Sequence, residues 1–172
     1  MPGLLYNSPC DVLRALLVGM GKNAITLPSG AVIPAGLVTD PTLVPIQAWP
    51  CWADGEYDTP DSAVFVKDTQ GRMDGRSMID GEYYEHFGVQ VSVRSVTPRA
   101  GFKKARQIAV ALDQAVVNAS VSIVDPDTGT THNYTIPCVS RTSGPMNIGK
   151  ETPSTKRNHC TINFVFPIGE LT

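Results

Sequence analysis

Between His86 and Arg94 the chain alternates strictly: Phe87, Val89, Val91 and Val93 fall on one side, and His86, Gly88, Gln90, Ser92 and Arg94 on the other. A period of two puts one row on a core and leaves the other wet or at an interface, so this stretch is read as a strand. Directly after it the period changes. Behind Thr97-Pro98, the residues Phe102, Ala105, Ile108, Ala109, Leu112 and Val116 recur at steps of three and four, which predicts a long helix docking these six on a sheet.

The same reasoning divides the rest of the chain. Ser8-Pro9-Cys10-Asp11 supplies a capping hydroxyl, a proline at the first helical position and a carboxylate at the positive end of the dipole. Val12, Leu13, Leu16, Leu17 and Met20 then share a face, and Gly19 and Gly21 mark the end of this short packing helix. From Lys22 to Pro50 five prolines fall among glycines, so residues 22–50 are expected to form a long loop or projecting arm with only brief extended pieces. Ala63 to Lys67 reads as a strand and Asp68 to Gly75 as a polar turn. Val121 to Asp125 and Thr130 to Ile136 flank Pro126-Asp127-Thr128-Gly129, a hairpin turn. Asn158 to Phe166 alternates Cys160, Ile162, Phe164 and Phe166 against His159, Thr161, Asn163 and Val165, and Pro167 ends it. The expected fold is α+β, a mainly antiparallel sheet with helices packed on one face plus a Pro/Gly-rich arm, in a single domain over 1–172.

Composition sharpens this. At 172 residues such a domain buries roughly 70% of its unfolded surface and needs no staples. Charged residues make up only 17%, against roughly 25% in typical soluble domains, so much of the surface is neutral or covered by neighbours, as in an assembly subunit. A net charge of −2 excludes a generally basic nucleic-acid coat but permits a local basic stripe. Cys10, Cys51, Cys138 and Cys160 are scattered without C-x-x-C spacing and are read as reduced, mostly buried thiols. No signal-peptide pattern opens the chain and no apolar run approaches the roughly 20 residues that span a bilayer, so a cytoplasmic site of synthesis and no membrane partner are expected. The sequons at Asn118 and Asn133 then carry no meaning.

Four patterns touch on chemistry. Gly144 to Thr152, GPMNIGKET, approaches a phosphate loop, but Glu151 stands where that loop needs Ser or Thr for Mg²⁺. Its carboxylate would repel a triphosphate, and Pro153 arrives where a helix should run, so the glycine spacing is read as a turn between two strands. Asp125, Asp127 and Gly129 suggest a calcium loop, yet Ile136 occupies the position of the closing glutamate, which leaves the hairpin reading. The three histidines are isolated from one another in sequence, and His86 and His159 belong to polar strand faces. No G-x-S-x-G elbow occurs. No catalytic residue, metal ligand or cofactor is assigned, and the chain is expected not to be an enzyme.

The remaining feature is cationic. Arg99, Lys103 and Arg106, with Lys104 nearby, crowd the first half of the long helix, where each cation opposes the dipole at a cost of a few tenths to about 1 kcal/mol. With Arg94, and with Lys150, Lys156 and Arg157 as an extension, they form either a solvated face, a subunit contact or a wall facing DNA phosphates. Trp49 and Trp52 bracket Pro50-Cys51 and suit either core anchors or interface hot spots.

The run from Pro60 to Ala115 resembles the tail-terminator (minor capsid, tail-completion) proteins of tailed bacteriophages. The resemblance lies in a succession: an acidic-aliphatic strand, a D-T-x-G turn (Asp68 to Gly71), a V-Q-V-x-V-R strand end (Val89 to Arg94) and an amphipathic helix opening G-[FY]-x-K-A (Gly101 to Ala105). SGPMNIGKETPSTKRNHCTINFVF is similar to the closing hairpin of that family, with Lys150 and Glu151 in the connection between strands. With the first helix, the resemblance covers about two-thirds of the chain. The length of the Pro-rich segment departs from the family pattern.

The resemblance implies a virion structural protein: a ring, commonly a hexamer, on the head-proximal end of the tail tube. Such a ring ends tube polymerisation, joins the tail to the neck or head-completion protein, and lets genomic DNA pass through its lumen without sequence specificity. Arg94, Arg99, Lys103, Lys104, Arg106, Trp49 and Trp52 are the interface or DNA-lumen candidates. The rivals are a head-closure or other neck ring protein, and a nucleic-acid-binding domain using the basic helix over 98–118.

Overall fold

A computed structural model describes residues 5–21, 23–33, 48–50, 62–76, 83–125, 127–150 and 157–171. Expectations for residues 34–47, Cys51, Trp52, Pro126 and 151–156 lie outside these residues. The chain opens with helix α1 (Pro9–Gly21) and a small hairpin of β1 (Ile25–Thr26) and β2 (Val32–Ile33). Strands β3 (Ala48–Pro50), β4 (Ala63–Arg76) and β5 (Tyr83–Ser95) precede helix α2 (Pro98–Ala115). Six strands follow: β6 (Ala119–Val124), β7 (Thr131–Ile136), β8 (Ser140–Arg141), β9 (Met146–Lys150), β10 (Asn158–Phe166) and β11 (Gly169–Leu171). The fold is α+β with mainly antiparallel sheets, as the sequence predicts.

The larger sheet runs β3-β4-β5-β10, and the outer edge of β10 is shared end to end by β8 and β9. All its pairings are antiparallel except β3 with β4. The register explains why the valine row of β5 is core. Val64, Val93 and Cys160 lie side by side, as do Val66, Val91 and Ile162, so three strands present one continuous apolar face. Both helices cover that face: Leu13 and Leu17 of α1 and Ile108 and Leu112 of α2 join its residues in one core and are fully buried. Each such side chain contributes roughly 1.5–3 kcal/mol, and truncating Leu17 to alanine would remove about 2–5 kcal/mol once the cavity is included. The second sheet, β11-β7-β6, adds Val121, Tyr134 and Ile136 to the same core.

Helix α1 is capped twice. The Ser8 hydroxyl accepts from the Asp11 amide at 3.3 Å, and Asp68 Oδ1, from the middle of β4, accepts from the Cys10 amide at 2.8 Å. The local cap was legible in the sequence; the second comes from 58 residues away.

Two turns expected from sequence are strands instead. Asp68 to Gly75 does not turn: β4 continues to Arg76 and pairs with β5 beyond the last β10 contact, at Phe87. Its polar and glycine residues are accommodated by register shifts between Thr69 and Arg72 and between Met73 and Arg76. A side chain at Gly88 would strike the Gln70 carbonyl, and one at Gly71 the His86 carbonyl, so these glycines permit the bulged close approach. Met146 to Lys150 is likewise an edge strand against β10, with a bulge opposite His159–Cys160 and Gly149 at φ 101°. The Asp125–Thr130 hairpin is as expected: Gly129, at φ 69°, donates its amide to the Asp125 carbonyl at 2.9 Å. Among the described residues no helix is long and apolar enough to cross a membrane.

Candidate interaction site on helix α2

Thr97 opens α2 in extended conformation, its hydroxyl accepting from the Ala100 amide at 3.3 Å, and Pro98 follows in the first turn. The helix enters close to β5, because Gly101 leaves room for the Ser95 hydroxyl, which donates to the Thr97 carbonyl at 2.7 Å. That entry sets the rotation of the helix. Gly101, Lys104, Ala105, Ile108, Ala109, Ala111 and Leu112 are buried.

This stripe corrects two sequence expectations. At 100° per residue, Lys104 and Ala111 extend the buried band on one flank, and Phe102 sits on the other. Phe102 therefore does not dock on the sheet; it is 45% exposed. Lys104 is no part of the basic surface, being only 3% exposed. Arg94 is not a surface contact either. It is fully buried, on the sheet face opposite the helices, with its guanidinium carbon 4.6 Å from the centre of the Phe65 ring. Around it that face is polar and half-buried: Gln90 donates to Asn163 Oδ1 at 3.0 Å, and Ser92 lies 3.5 Å from His159 Nδ1.

What remains outside is coherent. Arg99, Lys103 and Arg106 stand together on the outward face of α2, where they line a cleft of about 440 Å³ with Phe102, Gln107, Val110 and Ile33. Ile33 comes from the β1–β2 hairpin, whose turn is closed by Gly30 at φ 80°. None of the three cations forms an ion pair with a described residue. Ion pairs between described residues lie elsewhere, as in Arg141 to Asp113 at 3.3 Å. The cleft thus joins three positive charges in the first half of a helix to an apolar lining in which Phe102 is exposed, Val110 half-buried and Ile33 buried. That arrangement suits an anionic partner carrying apolar side chains.

The other candidates separate from it. Trp49 belongs to β3, at the far edge of the sheet. Lys150 lies on exposed β9, with a strand rather than a glycine-rich turn leading to it. Asp125 is occupied by its own hairpin and by the N-terminal segment: Thr128 and Tyr6 hydroxyls each donate to Oδ2 at 2.6 Å, and the Asp127 amide to Oδ1 at 2.9 Å. These donors, Thr128 foremost, hold its carboxyl down at about 2. Sequence reasoning missed this contact because Tyr6 and Asp125 lie 119 residues apart. No group of three or more His, Cys, Asp or Glu side chains suited to a metal occurs among the described residues.

Comparison with known proteins finds no protein-family model and no curated protein that matches the chain.

Proposed function

We propose that the chain is a virion structural protein of a tailed bacteriophage: the tail terminator, a ring subunit that caps the head-proximal end of the tail tube and joins it to the neck. The observation that carries this reading is the cationic face of α2, which forms no ion pair among the described residues. Arg99, in the first turn, opposes the helix dipole, and a partner that supplies counter-charge to this face offsets that cost. The passage from strand β5 directly into helix α2, which resembles tail terminators, supports the same assignment even though Asp68 to Gly71 continues β4 instead of turning, and so do two exposed strand features. The β4–β5 ribbon runs past its neighbours as two strands, an arrangement marginal on its own in water. The edge strand β9 shows Met146 and Ile148 at 60% and 64% exposure, a surface suited to a neighbour.

On this reading the protein transforms no molecule; it assembles into a ring, with the tube subunit on one side and the neck protein on the other. The test is a mass measurement of the purified protein beside tails assembled without it. A closed oligomer, and tails of uncontrolled length that fail to join heads, are expected. Normal tails made in the absence of the chain would refute the assignment.

A further inference from the structure

A head-to-tail ring joins two different surfaces of one sequence, so a cationic surface that lies in the seam has its anionic complement elsewhere on the same sequence. The α2 cleft specifies this counterpart closely. Arg99, Lys103 and Arg106 call for several carboxylates within a short span, while Phe102, Val110 and Ile33 call for apolar or aromatic side chains between them. Duplex DNA would satisfy the cations but leave the apolar surface without a complement.

Two runs of this sequence have the required chemistry, residues 51–61 and residues 79–85 (IDGEYYE), and the first carries the more carboxylates, four against three. Residues 51–61, CWADGEYDTPD, carry Asp54, Glu56, Asp58 and Asp61 with no Lys or Arg among them, and interleave Trp52 and Tyr57. Aromatic residues are the side chains most enriched in the energetically dominant centres of interfaces. We infer that the α2 cleft receives the acidic aromatic segment 51–61 of a second copy of this chain, and that this contact is the seam of the ring. The inference rests on the ring reading given above and adds which surfaces meet.

The test is a charge exchange on the full-length protein, read as mass in solution. One variant carries Arg99→Glu, Lys103→Glu and Arg106→Glu; the other carries Asp54→Lys, Glu56→Lys and Asp58→Lys. Each alone is expected to weaken association at least about tenfold, the combined effect of three exposed charge pairs, with thermal unfolding confirming that each folds. Mixing the two is expected to restore the oligomer, since every reversed cleft then meets a reversed segment and every native cleft a native one. Association of either variant alone at wild-type strength would overturn the inference while leaving the ring intact. Rescue only when all six changes sit in one chain would also overturn it, assigning the segment to its own cleft. Rescue of the reversed cleft by Asp80→Lys and Glu82→Lys instead would overturn it in favour of another acidic run. A cleft variant that loses duplex DNA binding but keeps its mass would assign the cleft to nucleic acid. A monomeric wild-type protein would instead remove the ring reading itself, and this seam with it.

Discussion

The guanidinium of Arg94 lies over the ring of Phe65, 4.6 Å from its centre, with the arginine wholly withdrawn from solvent. An arginine so placed serves the sheet and not a partner. Arg94→Ala is therefore expected to destabilise the fold by about 2 kcal/mol or more, through lost packing and lost cation–π attraction. Arg99→Ala, on the exposed face of α2, should stay within about 0.5 kcal/mol of the wild type. Urea denaturation of the two variants checks the contrast, and equal midpoints would contradict it.

The Gly88 backbone passes so close to Gln70 that a methyl group would meet the carbonyl. Gly88→Ala is expected to cost about 1–3 kcal/mol, because the obstacle is backbone and cannot swing aside. Hydrogen exchange should show the loss first in the amides of β4 and β5 around the bulge at Thr69 to Arg72.

Asp125 has a folded-state carboxyl at about 2, below its ordinary value of 3.8, because hydroxyl and amide donors favour its charged form. A depressed carboxyl contributes stability that is fully present above the ordinary value and lost as pH falls through about 2. The tie between the N-terminal segment and the β6–β7 hairpin should therefore hold at pH 5 and loosen between pH 4 and 2. The stacked rings of Tyr6 and His132, centres 3.9 Å apart, provide an NMR signal for it. Asp125→Asn should flatten this part of the pH dependence.

The thiols differ in access. Cys138 is exposed, whereas Cys10 and Cys160 are buried, and burial pushes the Cys10 thiol up to about 11 and raises that of Cys160. In a Cys51→Ser background, alkylation at pH 8 is expected to label Cys138 rapidly and the other two only on unfolding. Mass spectrometry of a time course distinguishes them; early labelling of Cys10 would contradict the packing of α1.

Replacing Asp68 tests the remote cap. Asp68→Ala should cost about 1 kcal/mol by leaving the Cys10 amide without its acceptor, although the residue is exposed and lies on another element. Asp68→Asn, which keeps an acceptor oxygen, should recover most of it.

These contacts also mark how far the sequence speaks. Alternation in Val89 to Val93 and in Cys160 to Phe166 named the central strands because every second position meets the same core, whereas Phe87, further out on the ribbon, is only half-buried. Capping at Ser8 and Thr97 was a local signal. Asp68 to Gly75 misled because polar and glycine residues favour turns, whereas here they serve a bulged ribbon whose partner strand lies further along the chain. Met146 to Lys150 misled for a related reason: its strand character comes from β10, not from its own residues. Within α2 the period was right and five of the six expected docking residues are buried, but the buried band is displaced toward Lys104 and away from Phe102. Only the close entry at Gly101 decides that Lys104 goes in and Phe102 comes out. Three of the five cationic candidates, Arg99, Lys103 and Arg106, thus converge on the cleft, and Arg94 and Lys104 leave it.

The fastening of Tyr6 and Asn7 to Asp125 and Tyr134 sets a timetable for biosynthesis. Tyr6 and Asn7 are synthesised before their partners, which lie more than a hundred residues downstream. At translation rates of roughly 5–20 residues per second, they wait on the order of ten seconds for them. Until the hairpin emerges, these two residues lack the acceptors and donors that fasten them. A pause or truncation before residue 134 would therefore leave them unanchored, however complete helix α1.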